Sequence, residues 1–186
     1  MQQGVTLEEI ETYRQAGKIA AKVREKASKM IKPGLKLLEL AEAVEGMIYE
    51  MQAKPAFPCN ISINDIAAHY SPPANDVTEI KEGDLVKLDL GVHINGYIAD
   101  TAISVGVGNI HQVLIKAAEE ALEAAIKIIK PNVSTNQIGE IIELTAKKFG
   151  FSAIGDLTGH AMVRYNLHAG MTVPNVKTPY GEILKA

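Results

Sequence analysis

Lys87-Leu-Asp-Leu-Gly-Val-His-Ile-Asn-Gly-Tyr-Ile-Ala-Asp-Thr-Ala-Ile-Ser-Val-Gly-Val-Gly108 decides how this chain folds. Two alternating runs flank Asn95-Gly96, a pair that tolerates positive φ and is the strongest short-range signal for a two-residue hairpin turn. With that turn Asp100 falls opposite Gly91, and Asp89 opposite Ala102. Side chains alternate along a strand, so Asp89, Gly91, Asp100 and Ala102 share one face. The carboxylates are then diagonal neighbours, about 7–8 Å apart at the backbone and closer at their tips. A three- or five-residue turn would send them to opposite faces.

Leu88, Leu90, Val92, Tyr97, Ala99, Ile103 and Val105 make up the other face and read as core. Two like charges on one ribbon repel, and burying them unpaired is costly. Solvent, basic partners or cations relieve that cost, and a wet face is the plainest of the three. Gly91 between the acids and Ala102 beside them leave room, and the spacing suits a divalent cation held by both.

The chain around this hairpin has 186 residues, enough for one domain with a real core. It is 47% apolar and 22% charged with net charge −3, which gives no basic surface for nucleic acid. A lone cysteine, Cys59, excludes an internal disulfide and a cysteine-rich zinc site, and reads as a small core residue. No stretch approaches a membrane span, and the first residues show no basic-then-apolar leader. The expectation is a cytoplasmic enzyme or binding domain.

Thr6-Leu-Glu-Glu9 is a capping box, followed at helical spacing by Leu7, Ile10, Tyr13, Ala20, Val23, Ala27 and Met30 up to Pro33-Gly34. A second helix carries Leu37, Leu40, Ala41, Val44, Met47, Ile48 and Met51, the methionines as core filling. Residues 56–63 read as an edge strand, because Pro58 has no ladder donor. After the hairpin, Asn109 is expected to cap a helix that ends at Pro131-Asn132. Ser134-Thr-Asn-Gln137 opens another, stopped by Gly150. A strand is expected over Phe151–Leu157.

The order of elements repeats. Lys32-Pro33-Gly34 returns as Lys130-Pro131-Asn132, and Leu35, Leu40, Val44 and Met51 match Val133, Ile138, Ile142 and Phe149 at the same offset. The chain thus reads as a single incomplete domain over 1–186, with a first half-repeat at 1–108 and a partial second one at 109–186. At that offset a second hairpin would begin near residue 182, just before the last residue of the sequence, Ala186.

Five histidines stand at 69, 93, 111, 160 and 168. His111 lies in the first turn of a helix, and His93 shares the Asp face but at the solvent end of the hairpin. His160 follows Thr158-Gly159, His69 ends Ala67-Ala-His, and His168 precedes Ala169-Gly170. Any of the last three could complete a site built on two Asp, and spacing alone does not choose among them. There is no phosphate-binding Gly loop, no Gly-x-Ser-x-Gly elbow and no aromatic nucleic-acid platform.

Four segments together resemble the type II methionine aminopeptidases, in their archaeal-like form, of the pita-bread metallopeptidase family. They are Ala56-Phe-Pro-Cys-Asn-Ile-Ser-Ile-Asn-Asp-Ile-Ala-Ala-His-Tyr-Ser-Pro72, Lys87 to Ala102, Gly159-His160 and Leu167-His-Ala-Gly-Met-Thr-Val-Pro174. The resemblance implies an α+β pita-bread fold: an antiparallel sheet with paired helices in a pseudo-two-fold repeat, its second half incomplete here. It implies two divalent cations (Co, Mn, Fe or Zn) held by Asp89, Asp100 and His160, which activate water and polarise a peptide carbonyl. His69 and His168 would be catalytic and face the substrate, with Phe57 and Leu167 beside them lining a methionine pocket. The implied substrate is the N-terminal methionine of nascent proteins and peptides. Two further glutamates complete such sites in the family's second half, so the resemblance also implies an incomplete metal site, inactivity of this chain alone, and a complementary C-terminal fragment as a partner. The competing reading is a non-catalytic pita-bread domain that binds a protein or nucleic acid. An Xaa-Pro peptidase is disfavoured by Ala67-Ala-His-Tyr-Ser-Pro72.

Overall fold

Thr6 opens the first helix as expected. Its hydroxyl accepts from the Glu9 N–H at 3.2 Å, while its own N–H donates to the Glu9 carboxylate at 2.7 Å. The helix, α1 (Leu7–Ser28), buries Ala16, Ala20, Val23 and Ala27 along one stripe, and these small side chains let it lie close against the hairpin. A computed structural model describes residues 5–185. It shows two compact units: residues up to Ile110 together with Val163–Leu167, and His111–Met162 together with residues from His168 on.

In the first unit α1 is followed by α2 (Leu37–Glu50), β1 (Lys54–Pro55), β2 (Asn60–Ile63), β3 (Leu85–Ile94) and β4 (Tyr97–Gly106). All pairings are antiparallel. β4 lines one edge of β3, and β1 and β2 take turns along the other, Lys54 opposite His93 and Asn60 opposite Asp89. Leu40, Val44, Ile48, Ile61, Val86, Leu88, Leu90 and Val92 are each at most 1% exposed, which makes the core one-sided on the sheet. Each such side chain is worth about 1.5–3 kcal/mol relative to exposure. Arg24 of α1 also bonds the Thr101 hydroxyl on β4.

Of the strand expected over 56–63 only 60–63 forms, as β2, and β1 lies just ahead of the expected range at Lys54–Pro55. Residues 56–59 leave the ladder because Pro58 lacks a donor and the Cys59 N–H goes instead to the Glu45 carboxylate at 3.1 Å. Only the Ala56 N–H still reaches β3, at the Gly91 carbonyl 2.9 Å away.

The second unit holds α3 (Gln112–Ile128), α4 (Thr135–Lys148), β5 (Thr158–His160) and β6 (Thr172–Pro174). Ser134 and Gln137 form the expected capping box on α4. Asn109 does not cap α3: it has φ 58°, the neighbouring cap residue His111 has φ 60°, and an N-cap side chain works from extended backbone. Nor is there a strand over 151–157. The Phe151 N–H turns back to Ala146, Ile154 is 48% exposed, and the ladder starts only at Thr158 where β6 provides a partner.

The repeat survives as hydrogen bonds. In the first unit the N–H groups of Gly34, Leu37 and Ile80 donate to the carbonyls of Ile80, Thr78 and Leu35. In the second, those of Asn132, Thr135 and Leu184 donate to Leu184, Glu182 and Val133. The offset is 98 on the helix side (Lys36 to Ser134) and 104 on the other (Glu79 to Ile183). The counterpart of Leu85 therefore falls beyond Ala186 rather than near 182.

Candidate functional site

The Asn95-Gly96 turn has φ of 51° and 90°, and β3 meets β4 with Asp89 opposite Ala102 and Gly91 opposite Asp100. Both acids therefore project from the face of the hairpin away from the core. Asp89 is half-buried and Asp100 exposed. From β2 the Asn60 amide donates to Asp89 Oδ2 at 3.4 Å, which helps aim that carboxylate. Lys87 shares the face but lies beyond Asp89, on the side away from Asp100. Burial holds its ammonium below the usual lysine range, against the pull of the Asp89 charge.

Gly91 does leave room between the acids, and Phe57 takes it. A Cβ at Gly91 would lie 2.6 Å from Phe57 Cδ1 and 2.9 Å from the Ala56 Cβ. The space expected for an ion directly over Gly91 is thus filled by an aromatic ring. The open side of the pair is the other one, where Asp100 and Ala102 are exposed. Next to Phe57 along the chain, Ala56 joins His93, Gly96, Ile98, Tyr165 and Leu167 around a cavity of about 140 Å³.

His93 is half-buried rather than solvated. Its Nδ1 accepts from the Gly96 N–H at 3.1 Å, and burial followed by the Lys54 charge pulls its pKa down, which keeps the ring neutral as an acceptor must be. His69 is exposed with φ 64° on the loop after β2. Its neighbour Tyr70 fixes that loop by accepting from the Ile61 N–H at 2.7 Å and donating its hydroxyl to Asp76 at 2.7 Å. Cys59 is buried, and desolvation, followed by the charges of Glu45 and Asp89, pushes its thiol up to about 12. A thiol in that state is no nucleophile.

In the second unit His160 ends β5, and His168 lies on the loop that leads to β6. Their ring centroids are 4.3 Å apart with planes tilted by 58°. The loop is held by Ala161 N–H to Met171 O and Ala169 N–H to Ala161 O, both 2.8 Å. The structure thus gathers Asp89, Asp100 and Phe57, with Leu167 in the adjoining cavity, and separately pairs His160 with His168.

Two carboxylates on one face are donors suited to a hard divalent cation. Among the described residues no group of three or more His, Cys, Asp or Glu side chains is gathered closely enough to hold one. Sequence reasoning missed Asn60 as a support for Asp89. Its alternation with Cys59 and Ile61 was the available signal, but the β2–β3 register was not. It also missed the contacts of Arg164 and Tyr165 with the hairpin turn.

The model of metallopeptidase family M24 matches residues 11–186. The methionine aminopeptidase of Methanocaldococcus jannaschii is 54% identical over 171 residues, covering 90% of this chain and 58% of its own length. That of Methanothermus fervidus is 51% identical over 181 residues, covering 90% of this chain and 96% of that protein. The crystal structure of methionine aminopeptidase from Thermotoga maritima superposes with TM-score 0.89 at 30% identity, over 100% of this chain and 78% of that one. The prolidase from Pyrococcus furiosus gives TM-score 0.83 at 29% identity, over 97% of this chain and 53% of that one. The chain spans a little over half the length of the first of these relatives. The fold is α+β and pita-bread, as the sequence implied.

Proposed function

This chain belongs to metallopeptidase family M24, and from that premise we propose that it is the site-bearing part of a methionine aminopeptidase acting on peptides and nascent proteins that begin with methionine. The observation that carries the reading is the hairpin register. It sets Asp89 and Asp100 side by side on one face with Phe57 packed at Gly91 between them.

Asp89 and Asp100 would hold divalent cations, with His160 as a third ligand. Such cations supply Lewis acidity toward the scissile carbonyl and lower the pKa of water. The chain's own residues do the rest. Asn60 orients Asp89, and Phe57 and Leu167 offer apolar surface to an unbranched, polarizable side chain. His69 and His168 face the peptide and donate to the oxygen on which charge develops. Three protein ligands are few for two cations. Full turnover is therefore expected to need further carboxylates from a complementary segment.

The test compares the purified chain with Asp100→Asn, measuring metal stoichiometry after loading with Mn(II) or Co(II) and hydrolysis of a methionyl tripeptide. Asp100 is exposed, so the variant should keep its fold. Metal binding should fall about tenfold or more. If Asp100→Asn unfolds the chain while leaving metal affinity intact, Asp100 is structural and the reading fails. Two tightly held ions with normal turnover in the parent would show that no complementary segment is needed.

A further inference from the structure

The loop between β5 and β6 is longer than its counterpart. In the first unit Ile61 meets Tyr70, and at matching positions in the second Gly159 meets Val173, so the offset grows from 98 to 103 across the loop. The added residues form a turn. Val163 and Asn166 exchange both backbone hydrogen bonds, at 3.0 and 2.9 Å, with Arg164 and Tyr165 at the tip.

That tip sits on the hairpin tip. The Tyr165 N–H donates to the Gly96 carbonyl and the Arg164 Nε to the Asn95 carbonyl, both at 2.9 Å. The Arg164 guanidinium lies 5.2 Å from the Tyr97 ring centre and 5.4 Å from that of Tyr165. The Tyr165 ring covers Gly96, where any Cβ would come within 2.5–2.7 Å of it, and meets His93 edge-on at 6.0 Å. Tyr165 itself has φ 59°, a conformation a bulky residue holds only when its surroundings over-determine it. Two residues later Leu167 enters the 140 Å³ cavity beside Ala56, His93 and Ile98.

We propose that Tyr165 is a specificity-positioning residue. By seating the turn at 163–166 on Gly96, it fixes Leu167 as a rigid wall for the substrate's first side chain, which favours methionine over a branched side chain of similar size. This rests on reading Phe57 and Leu167 as methionine-pocket residues. A wall free to move would yield to leucine, whereas a fixed one penalises the misplaced methyl.

The experiment measures dissociation constants of L-methionine and L-leucine by calorimetry, with and without Mn(II), alongside NMR hydrogen exchange of the amide at position 165. Tyr165→Phe keeps the ring. Tyr165→Gly keeps the positive φ and the N–H but removes the ring. The parent and Tyr165→Phe should prefer methionine by about tenfold or more, and Tyr165→Gly should lower that ratio below about threefold while exchange at position 165 accelerates. An unchanged ratio in Tyr165→Gly despite faster exchange overturns the proposal, as does an equal loss in Tyr165→Phe. A parent with no methionine preference but a protected amide at position 165 refutes the methionine-pocket reading itself, and the inference falls with it. Should Tyr165→Gly fail to fold, the exposed Arg164→Ala, which removes the bond to Asn95, is judged by the same ratio and the same exchange.

Discussion

Gly91→Ala isolates the contact on which the site geometry turns. The added methyl would sit 2.6 Å from Phe57 Cδ1 and 2.9 Å from the Ala56 Cβ, so the half-buried ring must be displaced. Overpacking of this kind costs about 1–3 kcal/mol. Replacing a strand glycine by alanine returns about 0.5–1 kcal/mol through the unfolded chain. The net expectation is a loss of about 1–2 kcal/mol, or a Tm lower by about 2–8 °C for a chain of this size. Urea titrations of Gly91→Ala, Phe57→Ala and the double variant form a cycle. With the ring gone only the Ala56 Cβ, 2.9 Å away, still has to yield, so Gly91→Ala should cost less than in the parent, giving a coupling of about 1 kcal/mol. Equal cost in both backgrounds would mean that Phe57 does not occupy the space between the acids.

Three further expectations follow from groups outside the pocket. Cys59, with its thiol near 12, should resist iodoacetamide at pH 8 in the folded protein and react promptly in urea, and mass spectrometry reads the adduct. The Glu9 carboxyl is lowered by the backbone N–H of Thr6, then by the Thr6 and Tyr97 hydroxyls. A lowered acid stabilises the fold above its unfolded pKa of 4.5 and loses that effect as pH falls through the folded value. Protection of the Thr6 and Glu9 amides, taken relative to the intrinsic exchange rate at each pH, should therefore weaken below about pH 4.5, and Glu9→Ala, which removes the acceptor, should show weak protection at neutral pH already. Ser134→Ala, which removes half of the α4 capping box, should cost about 1 kcal/mol in a urea melt.

What could be read from the sequence was whatever local chemistry determines. Asn95-Gly96 dictates a two-residue turn, and the turn dictates which face carries each Asp. Thr6 and Ser134 announce their helices for the same reason, since the capping partner lies three residues away. The errors fall where a partner distant in sequence decides. Residues 151–157 alternate like a strand but have no ladder to join, while the short run 158–160 does. Asn109 precedes a helix, but it is itself left-handed, and so is His111, the residue next to the first helical one. Gly91 looks like vacant space in the sequence because nothing nearby in the chain shows that Phe57, from the break between β1 and β2, fills it. The pairing of His160 with His168 depends on how the β5–β6 loop folds back, which no spacing rule states.

The three backbone bonds that recur in both units have an evolutionary consequence. They pin the two ends of a segment that holds a helix and short strands in each unit, so a duplicated gene can gain or lose codons in the loops between those elements without disturbing the pinned ends. Insertions tolerated by one copy, such as the longer stretch between β5 and β6, then become raw material for selectivity.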